Sequence, residues 1–264
     1  MNFKKLFRNF SFSAFLLLEF GFAYGQKIAV VTVNLSKKTA GIAVPLHLNL
    51  EEITAVSDSI KLIETTGSKS REIPFQIENK SKRVLYWLTD ANASIGKHTY
   101  EFIKSPAHIT DHIHLVKDSG AITIVAAHKN LLRYNYKTVY PPAGVDTVFK
   151  RSGFIHPLWS PKGQRLTRIG APDHYHHFGL WDPWTHVYFE GDTLDFWNLN
   201  EKQGTVRFAS FTSLTSGPIY ADFQVLQQHI AFKRHEPEKG KEKIALNELQ
   251  SVRIYQPETN SDYY

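Results

Sequence analysis

Twelve consecutive residues, Asp173 to Trp184 (DHYHHFGLWDPW), bring an acid, three histidines and two tryptophans around one glycine. Imidazole donates, accepts or ligates a metal near neutral pH, so clustered histidines are a common trace of acid–base or metal chemistry. Five of the chain's 13 histidines lie between residues 156 and 186, well above an even spread, and that density makes the region the site candidate. If residues 173–177 are extended, His174 and His176 project to one side and Asp173, Tyr175 and His177 to the other. Pro172 biases Ala171 toward an extended backbone, and Gly179 allows a turn directly after the histidines.

Two chemistries fit this arrangement. In one, His174 and His176 hold a divalent metal such as Zn or Cu, with His156 or His186 as a third ligand and a position left open for water or substrate. No His-Glu-x-x-His motif accompanies them. In the other, metal-free site, His174, His176, His177 and His156 supply a general base and an acid or oxyanion donor, while Asp173 or Asp182 orients a ring. The spacing leaves both open, and it names no cofactor beyond such a metal. Without any chemistry, the same histidines would bond carbonyls in a loop packed on Trp181 and Trp184. Histidines 108, 112 and 114 form a smaller group, which surface positions on a strand explain equally well.

Four of the five tryptophans, Trp159, Trp181, Trp184 and Trp197, fall in this same region. A flat indole beside hydrogen-bonding groups suits the apolar face and hydroxyl rim of a sugar. Trp181, Trp184, Trp159 and Arg151 are therefore the candidate substrate contacts, with Arg151 and Arg168 able to meet a carboxylate or sulfate. Filling a β-sandwich core is the competing use of the indoles.

The elements that must position these residues read as β structure throughout. Short runs rich in Val, Ile, Tyr and Phe recur between turn-forming clusters, among them residues 27–35, 60–65, 83–88, 98–103, 121–127 and 205–213. Residues 219–235 make the longest candidate strand, and 235–243 a charged hairpin loop. No segment carries an apolar stripe of helical period over three turns. The expectation is an all-β, antiparallel β-sandwich protein, with an N-terminal β region over 26–128 and a second β-sandwich domain over 129–264.

The chain has 264 residues and a formal charge of +6, with its 31 Lys and Arg dispersed, so nucleic acid is not an expected partner. Absence of cysteine excludes disulfides, a thiolate nucleophile and Cys-type zinc sites. Lys4, Lys5 and Arg8 precede an apolar run ending in small residues, the layout of a signal peptide over residues 1–25, although Glu19 interrupts the run. After residue 26 no apolar stretch approaches the ~20 residues of a spanning helix. The mature chain is expected to be exported, to a periplasm or the outside.

The stretches YNYKTVYPP, RSGFIHPLWSPKGQRLT, DHYHHFGLW and GDTLDFWNL resemble, in order and spacing, a secreted bacterial family labelled "methane oxygenase PmoA", common in carbohydrate-degrading Bacteroidetes. The resemblance covers about residues 131–264. It implies a β-sandwich resembling the galactose-mutarotase type of supersandwich, and it maps the shared motif onto His156, Asp173, His174, His176, His177, Gly179 and Trp181. Methane oxidation is not expected, because the authentic subunit of that name is built of transmembrane helices. Phe178 stands where many relatives have Arg, and relatives continue beyond Tyr264, so a truncated and inactive family member is one expectation.

These readings converge on an exported protein acting on a carbohydrate or sugar-derived small molecule through its histidines, with epimerase, lyase or hydrolase chemistry. The alternatives are a non-catalytic carbohydrate-binding protein and a metal-dependent oxidoreductase.

Overall fold

The computed structural model describes residues 26–39, 41–53, 59–106, 112–233, 235 and 237–256. The expected signal segment 1–25, His108 and residues 257–264 lie outside the described residues. The chain is an antiparallel all-β sandwich protein, and its only helical elements among the described residues are single 3-10 turns.

The first seven strands are β1 (Lys27–Leu35), β2 (Pro45–Asn49), β3 (Ile60–Thr66), β4 (Lys69–Glu72), β5 (Phe75–Asn79), β6 (Arg83–Leu88) and β7 (Gly96–Lys104). They form two sheets, ordered β1-β7-β3-β4 and β2-β6-β5. Period-two alternation aims Ile60 and Leu62 from β3, Tyr100 and Phe102 from β7, and Leu85 and Trp87 from β6 into one core. Trp87 meets Tyr100 and Phe102 edge-on, with ring centres 5.4 and 6.1 Å away. The same alternation buries two polar residues, Glu64 and His98. Each satisfies the other: Glu64 Oε1 lies 3.1 Å from His98 Nδ1, and its Oε2 accepts from Arg71 Nε at 2.9 Å.

The remaining strands are β8 (Ile113–Lys117), β9 (Ala121–Ala126), β10 (Lys129–Asn135), β11 (Phe154–Leu158), β12 (Ile169–Ala171), β13 (His174–Phe178), β14 (Val187–Phe189), β15 (Asp192–Leu194), β16 (Gly204–Thr215), β17 (Tyr220–Phe232) and β18 (Glu242–Tyr255). A four-stranded sheet, β11-β10-β9-β8, faces a three-stranded sheet, β16-β17-β18. Ile122, Ile124, Leu132 and Tyr134 from the first pack on Ala221, Phe223 and Val225 from the second. The expected longest strand is β17, which at 13 residues is one shorter than β18. β18 begins at Glu242, so residues 242 and 243 of the expected charged loop belong to the strand.

Residues 128 and 129, the expected domain boundary, lie at the turn joining β9 to β10. Ala127 and His128 both adopt positive φ there, 47° and 65°, the geometry of a two-residue hairpin turn, and Ala126 pairs with Lys129 across it. The change of core comes between β7 and β8. A polar seam joins the two sandwiches: Gln76 Oε1 accepts from the backbone N–H groups of Ile219 and Tyr220 at 3.2 and 3.1 Å. Arg253 on β18 also reaches Glu78 at 3.1 Å and Asp222 at 2.6 Å while its guanidinium lies 3.9 Å from the Tyr220 ring centre.

Between β11 and β16 the chain leaves the sheets as two hairpins, β12–β13 and β14–β15, which carry the histidine-rich stretch. Phe178 anchors the first against Phe154 of β11, ring centres 5.0 Å apart, and the Ile155–Leu180 bridge extends that attachment. Phe196, following β15, packs edge-on against His229 of β17 at 5.1 Å.

Candidate functional site

The three histidines of β13 sit on one side of their strand, which corrects the expected alternation of His174 and His176 against His177. Ring centres of His174 and His176 are 5.8 Å apart, of His174 and His177 4.8 Å, and of His176 and His177 4.6 Å. The cause is register. Ile169 pairs with Phe178 and Ala171 with His174, so residues two apart on β12 face residues four apart on β13. The surplus residues bulge, and a bulge re-aims side chains that strict pleating would send to opposite faces. Tyr175 keeps to the other side, 5.7 Å from the Phe149 ring.

The cluster rests on two indoles. Trp197 lies 4.6 Å from His176 and 5.3 Å from His177, and Trp181 stacks beside Trp197 at 6.1 Å and 15°. Trp197 is held by its backbone: Asp195 Oδ1 accepts from the N–H groups of Trp197 and Asn198 at 2.7 and 2.9 Å. Gly179 turns the chain from the histidines into Trp181 with φ of +61°, and a Cβ there would stand 2.3 Å from the carbonyl oxygen of Ile155. Only glycine suits both the backbone and the space.

An open cleft of about 490 Å³ lies over this surface, walled by His177, Trp181, Trp197, Thr167, Arg168 and Ile169. Nε2 of His176 and Nε2 of His177 are buried and, among the described residues, have no hydrogen-bond partner. Burial, reinforced by the neighbouring imidazoles of His177 and His174, holds His176 below the usual histidine range, so its ring stays neutral and able to accept a proton. Asp173 is exposed and pairs with His174, Oδ2 to Nδ1 at 3.0 Å, and this bond holds its carboxyl below the usual carboxylate range.

Other predicted residues stand apart from this group. His156 is half-buried on β11, its Nδ1 3.0 Å from Thr167 Oγ1, so it orients a cleft-lining hydroxyl; burial, with Arg165 nearby, lowers its pKa. His186 is exposed at a left-handed turn, φ 53°, and Trp159 bridges Arg165 in another hairpin. Neither lines the cleft. Trp184 is 54 % exposed and approaches His229 instead, at 6.5 Å. Among the described residues no group of three or more His, Asp and Glu side chains is placed to hold a metal ion. The metal set His174, His176, His156 and His186 is therefore not assembled: β11 and the turn at residue 186 carry the last two elsewhere.

A second polar group, not anticipated apart from Arg151, lies behind Trp181. The Arg151 guanidinium carbon is 4.2 Å from the Trp181 ring centre, yet the residue is only 2 % exposed. His229 of β17 is fully buried, and its Nδ1 lies 3.8 Å from Oε2 of Glu248 on β18. Among the described residues, neither ring nitrogen of His229, nor Glu248 Oε2, nor Arg151 Nε has a hydrogen-bond partner. Burial, with Arg151 beside it, drives His229 down to about 4; burial, with Asp182 beside it, pushes Glu248 up. The sequence does carry a signal for them. Along β17 the inward row Ala221, Phe223, Val225 continues as Gln227 and His229, and on β18 Glu248 and Gln250 share a row with Val252 and Ile254. Polar residues in an apolar row require a partner or a purpose.

A model of a family of unknown function, DUF6807, matches residues 121–264. The matched segment contains the cleft, the histidine cluster and the Arg151–His229–Glu248 group, and it carries no methane-oxygenase label. No curated protein and no solved structure matches the chain.

Proposed function

The chain belongs to the DUF6807 family of unknown function, and since that description assigns no chemistry, we propose from the site itself that the protein binds a carbohydrate in the cleft of Trp181 and Trp197 and transfers protons on it through His177 and His176. The observation that carries this reading is the pair of buried, unpartnered Nε2 atoms beside two stacked indoles at an open cleft. Buried polar atoms left unpaired are destabilising, and a ligand hydroxyl, which both donates and accepts, satisfies either tautomer of each ring.

Roles follow from position. The indoles offer apolar area to a sugar face, Thr167 and Arg168 offer rim contacts, and His177 on the cleft wall exchanges protons with the substrate. His176 stands behind it, neutral, as a second acceptor. This suits an epimerase, lyase or hydrolase, in which a proton leaves one substrate atom and another is delivered nearby. A metal-dependent oxidation is less well supported, because the described residues bring no third ligand to His174 and His176. The resemblance to a secreted family from carbohydrate-degrading bacteria, and the N-terminal segment read as a signal peptide, support the reading of an exported protein.

The test is calorimetric titration of the purified protein with a panel of mono- and oligosaccharides, followed by turnover assays on whatever binds. Trp197→Ala should weaken binding by about tenfold or more, while His177→Ala should bind and fail to turn over. Undiminished binding in Trp181→Ala and Trp197→Ala proteins rejects the cleft. Binding by every variant with no turnover by the wild type reduces the protein to a binding module.

A further inference from the structure

The cleft reading leaves Arg151, His229 and Glu248 without a use. Arg151 lies in the interior, its Nε unpartnered and its Nη1 making only a long bond, 3.5 Å, to the carbonyl oxygen of Phe196. No carboxylate among the described residues forms an ion pair with it. Glu248 acts on it through space without an ion-pair contact, so the buried cation is incompletely compensated, and an anion supplied from outside relieves that penalty. The planar guanidinium fork matches a carboxylate in particular.

Its neighbours offer donors toward the same place. A neutral His229 ring has one N–H to give, and both its nitrogens are free of partners. Glu248, its side chain 15 % exposed, lies 3.8 Å from His229 Nδ1 and donates an O–H whenever it is protonated. Trp181 is the shared wall: it lines the cleft and lies against Arg151. Residues 182–186 hold no strand, and the exposed Trp184 ring lies 6.5 Å from His229.

We infer that Arg151, His229 and Glu248 form a carboxylate-binding site beneath the 181–184 segment, so that the ligand of the cleft is an acidic sugar, a uronic acid or its glycoside. This rests on the carbohydrate reading of the cleft and adds the substrate's charge to it. The rival anion contact is Arg168, an exposed cleft-lining residue whose side chain is far from buried.

Paired titrations separate the possibilities: glucose against glucuronate and galactose against galacturonate, with wild type, Arg151→Lys, Arg151→Met, Arg168→Met, Glu248→Gln and Trp197→Ala proteins, each checked for folding by circular dichroism. The site requires the uronates to bind about tenfold tighter than their neutral partners, with the preference reduced in Arg151→Lys, lost in Arg151→Met and kept in Arg168→Met. If Arg151→Met does not fold, Glu248→Gln decides: at pH 8 it should tighten uronate binding several-fold and leave neutral sugars unchanged, and unchanged or weaker uronate binding overturns the site. Equal binding of acidic and neutral sugars, abolished by Trp197→Ala, overturns this inference and leaves the cleft reading standing. A preference lost in Arg168→Met moves the anion contact to the rim and overturns it as well. Binding of neither sugar class overturns the cleft reading and this inference with it.

Discussion

The guanidinium of Arg151 lies under the indole of Trp181, 4.2 Å from its centre, while the same indole stacks beside Trp197 at the cleft. One side chain thus belongs both to an exposed binding surface and to a buried charged group. Its removal opens the interior as well as the cleft. Trp181→Ala should lower stability by about 3 kcal/mol; Trp184→Ala, at a residue 54 % exposed, should lower it by less than about 1 kcal/mol. Urea denaturation of the two variants measures the difference, and equal losses would show that Trp181 is not the anchor.

Gly179 is the turn that delivers Trp181. In Gly179→Ala the positive φ and the approach to the Ile155 carbonyl act together, and the expected loss is about 2 kcal/mol or more. Near-UV circular dichroism should also lose intensity as the tryptophan environment loosens. An alanine variant as stable as the wild type would mean that the backbone here relaxes freely.

His229 gives stability a defined pH dependence. Burial, then Arg151, lowers its pKa from 6.5 to about 4 in the folded chain. Below pH 6.5 the unfolded chain takes a proton that the folded chain refuses, so stability falls with falling pH. The contribution is intact above the unfolded value and is lost progressively down to about pH 4, to the extent of about 3 kcal/mol. Denaturation midpoints measured across pH 4–8 should show this slope, and His229→Gln should flatten it. An unchanged slope in that variant would place the proton uptake elsewhere.

His176 and His177 should separate kinetically once a turned-over sugar is identified. Because His176 is held below the usual histidine range by burial and its neighbouring imidazoles, kcat/KM should reach its plateau at a pH below that of an ordinary histidine base. His177→Ala should lose about 100-fold or more in kcat, with binding retained. Asp173→Asn, at an exposed pair with His174, should change kcat only a few-fold. A large loss for Asp173→Asn beside a small one for His177→Ala would relocate the acid–base group.

Gln76 links the two sandwiches through two backbone donors. Gln76→Ala strands the N–H groups of Ile219 and Tyr220, at a cost of about 2 kcal/mol. Calorimetry should then resolve the two cores as separate transitions, or as one clearly broadened. A single unshifted transition would show that the Arg253–Glu78 contact alone couples them.

Strands such as 27–35 and 83–88 were readable because runs rich in β-branched and aromatic residues, set off by turn-forming clusters, are written in consecutive residues. The glycine turn and the crowding of histidines were readable for the same reason. The bulge of β13 was not: whether His177 joins His174 and His176 depends on how β13 registers against β12, and register is a property of two strands. Trp197 was visible as one of four clustered tryptophans, but its choice over Trp184 and Trp159 depends on which hairpin folds back over the cleft.

The sequence by itself determined an antiparallel β protein and the segment where its chemistry concentrates, because periodicity and turn residues act over a few positions. Only the tertiary structure decided that His156 and His186 stand away from the cluster, and that Arg151, His229 and Glu248, up to 97 residues apart along the chain, meet behind Trp181. Such meetings arise from packing one sheet on another. No local pattern encodes them, beyond the polar residues that interrupt the apolar rows of β17 and β18.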